Sequence, residues 1–115
     1  MAEQDAAALL PLKPAVFHIL LALSQGDLHG YGIMQGVREA SGGHVELKTG
    51  PFYRHLKKLL EGGLVEETER PDDVDSRRGT HYGLTPYGSR VLSAEGQRLS
   101  DLLGLTRQLG VLSGG

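Results

Sequence analysis

Thr49-Gly50-Pro51-Phe52-Tyr53-Arg54-His55-Leu56-Lys57-Lys58-Leu59-Leu60-Glu61-Gly62-Gly63 is the stretch on which the fold turns. A threonine or glycine able to cap and a proline in the first turn open it, and two glycines close it. At about 100° per residue, Phe52, Leu56, Leu59 and Leu60 share one face. Arg54, Lys57 and Lys58 share the opposite face, with Tyr53 at its edge. The spacing predicts a helix that buries its leucines and turns cations to solvent. Lys48, Arg54, Lys57 and Lys58, with His55, make a basic run that no acid interrupts. Seven acids and one base, Arg70, follow between Glu61 and Asp75, and Arg77 and Arg78 come next as a pair.

Upstream, Pro14 suits the first turn of a helix, since its missing N–H has no partner there anyway. That helix runs apolar from Val16 to Leu23 and stops at Gly26. A second helix fits Gly30 to Ala40, with Ile33, Met34 and Val37 on one stripe and Gln35, Arg38 and Glu39 off it. Tyr31 is expected in the core, and His29 is expected to cap this helix. Gly42-Gly43 ends it, and His44 to Leu47 reads as a short strand. Downstream, Leu64 to Glu69 and Thr80 to Leu84 read as paired strands around a polar turn from Pro71 to Gly79. Thr85 caps a last helix that has Pro86 at its first position and runs towards Leu112.

The expected fold is therefore mainly α with a small β-hairpin: a winged helix-turn-helix followed by a C-terminal dimerisation helix. Residues 1–12 form an Ala-rich tail, 13–85 the DNA-binding domain and 86–115 the dimerisation helix. A length of 115 residues suits one domain. With 39% apolar and 23% charged residues the chain is neither a disordered tail nor a membrane protein. Its longest apolar run, Ile19 to Leu23, falls far short of the roughly 20 residues that span a bilayer. No basic segment precedes a cleavable apolar one, so a cytoplasmic protein is expected. The absence of cysteine excludes disulfides, thiolate chemistry and cysteine-ligated zinc.

The five histidines (His18, His29, His44, His55 and His81) form no ligand pair one helical turn apart. No phosphate-binding glycine loop, nucleophile elbow or paired carboxylates are present. No catalytic residue, metal or cofactor is expected, and no enzyme activity.

The net charge of −2 gives no general affinity for nucleic acid, but its segregation does, because the bases lie on the two elements a winged helix offers to DNA. Lys48, Thr49, Tyr53, Arg54, Lys57 and Lys58 are the candidate contacts of the third helix, and Arg77 and Arg78 those of the wing. Arg54 suits bidentate bonding to guanine, and the hydroxyls of Thr49 and Tyr53 suit phosphate. Tyr53 has a competing role as a ring packed between core and wing. Arg77 and Arg78 have one as partners of Asp72, Asp73 and Asp75.

One small basic footprint binds DNA weakly, and a twofold pair doubles it and reads a pseudo-palindrome. Leu92, Leu99, Leu102 and Leu109, spaced by seven, three and seven residues, form the candidate dimerisation seam, widened by Val91, Leu103, Leu105 and Leu112. Gly88, Gly96, Gly104 and Gly110 weaken this helix by up to about 1 kcal/mol each. Burial must therefore hold it, against a partner or, alternatively, folded back on its own domain. Ala15, His18, Ala22 and Gln25 give the first helix a stripe without large apolar groups, open to close approach by the partner's last helix. His18 and Ala22 are the candidate lining of an effector cavity there.

Four motifs carry a resemblance: Phe17 to Leu23, His29-Gly30-Tyr31-Gly32-Ile33-Met34, Gly50 to Leu59, and Tyr82-Gly83-Leu84-Thr85-Pro86-Tyr87-Gly88. In this order and spacing, from about Pro11 to Leu99, the chain resembles the PadR family of bacterial transcriptional regulators. The resemblance implies a homodimeric repressor bound to an operator near its promoter. It also implies release by a small hydrophobic or aromatic molecule, and dimerisation through the C-terminal helix. Two family contacts are absent: Pro51 stands where threonine is common, and His81-Tyr82-Gly83 where a cation usually precedes Leu-Thr. Those absences, with the acidic 61–75 stretch, favour an alternative, a winged-helix protein-interaction module without DNA binding.

Overall fold

Pro14, Gly30, Thr49 and Pro86 each begin a helix in the computed structural model, which describes residues 5–68 and 79–112. The helices are α1 (Pro14–Leu23), α2 (Gly30–Ala40), α3 (Thr49–Glu61) and α4 (Pro86–Gln108). A 3-10 turn, Ala6–Leu9, precedes them. Three short strands, β1 (Leu28–His29), β2 (Val65–Thr68) and β3 (His81–Leu84), form one antiparallel sheet in the order β1-β3-β2.

The core joins Ile19, Leu20 and Leu23 of α1 to Ile33 and Val37 of α2 and Phe52, Leu56 and Leu59 of α3. Leu64, Val65, Tyr87 and Val91 close it from the sheet and α4. The expected amphipathic stripes of α2 and α3 thus meet on one side, which drives the helices together by removing apolar surface from water. Met34 and Leu60 are half-buried at the edge of this core.

The caps follow side-chain chemistry. His29 Nδ1 accepts from the Gly32 N–H at 3.0 Å, capping α2 as expected. Thr85 Oγ1 accepts from the Gly88 N–H at 2.9 Å and donates to the Gly63 carbonyl at 2.5 Å, so it caps α4 while tying it to the end of α3. Thr49, in contrast, is the first residue of α3 and caps nothing; Lys48 holds the cap position without a side-chain bond.

Four expectations need correction. His44 to Leu47 is not a strand: the Ser41 hydroxyl takes the Val45 N–H at 2.9 Å, and both edges of β3 are filled, by β1 and β2. The two-stranded hairpin is a three-stranded sheet, because Leu28 and His29 pair with Tyr82 and His81. Tyr31 is not core; it is 66% exposed. The last helix also stops earlier than expected, at Gln108, with Leu109 as its C-cap.

Glu95 escaped the sequence reading. Only 1% exposed on α4, it accepts from the Leu12 N–H at 2.9 Å and pairs with Arg98 at 2.5 Å, pinning the chain before α1 to α4. The Arg98 hydrogen bond holds its carboxyl below the usual carboxylate range, with burial opposing and the Leu12 N–H assisting. Arg98 keeps access to water, so losing the pair costs less than the 3–5 kcal/mol of a fully buried one. Glu95→Ala is expected to lower stability by about 1–3 kcal/mol, the cost of an orphaned N–H. A depressed folded-state pKa adds stability that is present above the unfolded value of 4.5 and lost as pH falls through the folded value. Urea unfolding of Glu95→Gln across that acid range should therefore show a flatter pH dependence than the native chain.

Candidate nucleic-acid interface

The outer face of α3 carries the sequence-predicted cations together. Lys48, Thr49, Arg54, Lys57 and Lys58 are all exposed, while Phe52, Leu56 and Leu59 behind them are buried. His55, half-buried between the faces, reports the local field. Its pKa is held below the ordinary histidine value, first by burial and then by the charges of Lys13, Lys58 and Arg54. Lys13, at the start of α1, thus adds to the positive potential of this side, which sequence reasoning missed because it lies 41 residues from Arg54 in the chain.

Tyr53 is partly packed and partly open to solvent. Its ring meets Phe52 edge-on at 4.8 Å, yet it is 46% exposed. The packing partner beyond Phe52 is the start of α2, where a Cβ on Gly30 would sit 2.6 Å from the Tyr53 hydroxyl. Glycine at position 30 is what lets this phenol lie across α2. The wing arginines, Arg77 and Arg78, and their acidic neighbours Asp72, Asp73 and Asp75 lie outside the described residues.

Helix α4 has two halves. Tyr87, Gly88, Val91 and Glu95 are buried in its own domain, and Leu92 packs against that core. Val91 therefore cannot widen an outward seam. Past Glu95, Leu99, Leu102, Leu103 and Leu105 are exposed, and Leu109 is 67% exposed at the C-cap. His18 and Ala22 line a groove between α1 and α2 of about 640 Å³, with Leu21, Gln25, Gln35 and Gly36 among its other walls. Close approach of the two helices makes it: a Cβ at Gly36 would lie 3.7 Å from that of Ala22.

Among the described residues no three His, Asp or Glu side chains converge as a metal requires. None of the described helices is long and apolar enough to cross a membrane.

Three helices, a small antiparallel sheet and a basic third helix make this a winged helix-turn-helix protein of the kind that regulates transcription. The chain belongs to the PadR-like family of transcriptional regulators, whose defining pattern matches residues 19–94. It is similar to a PadR family transcription regulator from Clostridium difficile R20291, at 24% identity and a TM-score of 0.69, over 84% of this chain and 98% of that one. It is also similar to Bacillus subtilis PadR, solved in complex with operator DNA, at 27% identity and a TM-score of 0.57, over 71% of this chain and 46% of that one. An uncharacterized 37.1 kDa protein in transposon TN4556 of Streptomyces fradiae is 33% identical over 86 residues, 75% of this chain. The match spans only 23% of that relative's length.

Proposed function

We propose that the chain is a homodimeric, ligand-responsive repressor that binds a pseudo-palindromic operator in the cytoplasm. Residues 13–85 carry the DNA contacts and residues 86–115 the dimer contacts. The observation that carries the reading is the exposed row Lys48, Thr49, Arg54, Lys57 and Lys58 on a helix whose other face is the domain core. Such a helix enters the major groove without disturbing its own packing. Tyr53, Arg77 and Arg78 complete the contact set. The operator complex of Bacillus subtilis PadR supports the same use of the fold here.

Dimerisation rests on α4. Its core-facing stripe, through Val91 and Glu95, continues along the helix as Leu102, Leu105 and Leu109, beyond the reach of its own domain. A helix of 23 residues is roughly 35 Å long, and its free half needs an apolar partner to offset its glycines. Leu99, Leu102 and Leu109 supply that surface, with Leu92 at the junction with the core. A second copy brings two recognition helices to one duplex. The groove at His18 and Ala22 has the volume of a small-molecule site, and it is where a small hydrophobic or aromatic effector would act on the pair.

A titration of the duplex upstream of the chain's own gene, at two salt concentrations, tests the reading. The native chain should bind as a dimer and weaken steeply with salt. Leu102→Asp should run as a folded monomer by light scattering and bind at least about 10-fold more weakly. A salt-independent or absent interaction favours instead a protein-interaction module that does not bind DNA.

A further inference from the structure

Tyr31 is out of place as a packing residue. It is the second residue of α2, directed to solvent from a helix whose opposite face is core. Its ring is nonetheless held. His29 stacks on it at 6.4 Å with the planes 15° apart. His29 is itself fixed by the Gly32 N–H and by the edge of His81 at 5.6 Å. On the next residue, Gly30, rests the Tyr53 phenol from α3. Two tyrosines from two helices therefore flank one backbone position, beside the exposed Lys48, Thr49 and Arg54 at the start of α3.

An aromatic ring kept in water against one stacked imidazole, that of His29, has one useful polar end, its hydroxyl. None of the described residues hydrogen-bonds that hydroxyl, so it is available to an external acceptor. With α3 in the major groove, the start of α2 comes level with the sugar-phosphate strand bordering that groove, since the two helix starts touch through Tyr53 and Gly30. We propose that Tyr31 is a second anchor on the DNA, its phenol donating to a backbone phosphate and fixing the register of α3. This rests on the DNA-binding reading above. A phosphate contact positions the protein without reading sequence, and a neutral hydroxyl displaces no counterion.

Those two properties define the test. Tyr31→Phe and Tyr31→Ala are compared with the native chain on two duplexes: the DNA upstream of its gene, and a scrambled sequence of equal length. Both variants should weaken binding to both duplexes by a similar factor, about 5- to 100-fold, since the dimer loses one neutral hydrogen bond from each copy. The salt slope should stay at the native value, and circular dichroism and thermal melting should be unchanged because the side chain is exposed. Native affinity in Tyr31→Phe overturns the proposal, as does a loss confined to one duplex. Binding by the native chain to neither duplex removes the DNA reading as well. Weak binding in an Arg54 and Lys57 variant with normal binding in Tyr31→Phe removes this anchor alone.

Discussion

Gly88→Ala is expected to lower the melting temperature by about 10–20 °C, the largest stability effect of any single methyl in this chain. Gly88 is the third residue of α4 and buried. A Cβ there would press into the Leu64 carbonyl, with its carbon at 2.9 Å and the Leu64 Cα at 3.2 Å. The three nearest atoms it meets are all backbone, so no rotamer change relieves the clash. Nor can the backbone retreat freely. The Leu64 carbonyl accepts from the Thr85 N–H at 3.1 Å, and the Thr85 hydroxyl bonds both Gly63 and Gly88. Overpacking a core side chain costs about 1–3 kcal/mol, and a clash with fixed backbone belongs at the top of that range or above. That is a large share of the roughly 5–15 kcal/mol that holds a domain together, and each kcal/mol moves the melting point of a small domain by about 4–8 °C. Gly104→Ala is the control. Among the described residues, nothing beyond its own turn of helix lies within 4 Å of a Cβ at Gly104, so the change should stabilise α4 by up to about 1 kcal/mol. Calorimetry on both variants checks the pair, and a Gly88→Ala protein as stable as the native one would show that the α3–α4 clamp yields.

How far such features can be read without coordinates depends on whether their cause is local. Helix α3 was legible because apolar and basic residues alternate at the helical period from Phe52 to Leu60, about two and a half turns. The His29 and Thr85 caps were legible because cap and N–H lie three residues apart. Strand β1 was not: two residues carry no alternation, and Leu28 and His29 are extended because β3 lies beside them. The same cause misplaced the strand at His44 to Leu47. Val45 suits a strand, but β3 had no free edge and the Ser41 hydroxyl accepts the Val45 N–H instead. Tyr31 was misread despite an available signal, since it lies about 160° around α2 from Ile33. Glu95 offered half a signal. It continues the buried stripe of Gly88 and Val91 at helical spacing, where an acid demands a partner. Arg98 is near in sequence, but Leu12 is 83 residues away, and only the folded chain brings them together. The α3 cations were foreseen as a face, while the part Lys13 plays in their field was not.

Arg54→Ala with Lys57→Ala is expected to weaken operator binding by at least about 100-fold while leaving the fold intact. Both side chains are exposed on α3, and neither contributes to the Phe52, Leu56 and Leu59 face. The two substitutions differ in kind and can be separated. Arg54 is the residue suited to a guanine edge, so its removal should cost about 1–3 kcal/mol per half-site and relax sequence preference. Arg54→Lys should rescue little of this, since an ammonium cannot make the bidentate bond. Lys57 is suited to phosphate, so Lys57→Ala should weaken all duplexes alike. It should also flatten the salt slope by roughly 2 for a dimer, about 0.9 for each phosphate no longer neutralised. Removing two cations also takes the net charge per chain from −2 to −4, and bulk repulsion from DNA rises with it. Arg38→Ala with Arg107→Ala makes the same change at exposed positions of α2 and α4. If position on α3 is what matters, that control binds within a few-fold of the native chain. Equal weakening in the two double variants would mean that overall charge, and not a groove-reading helix, governs the interaction.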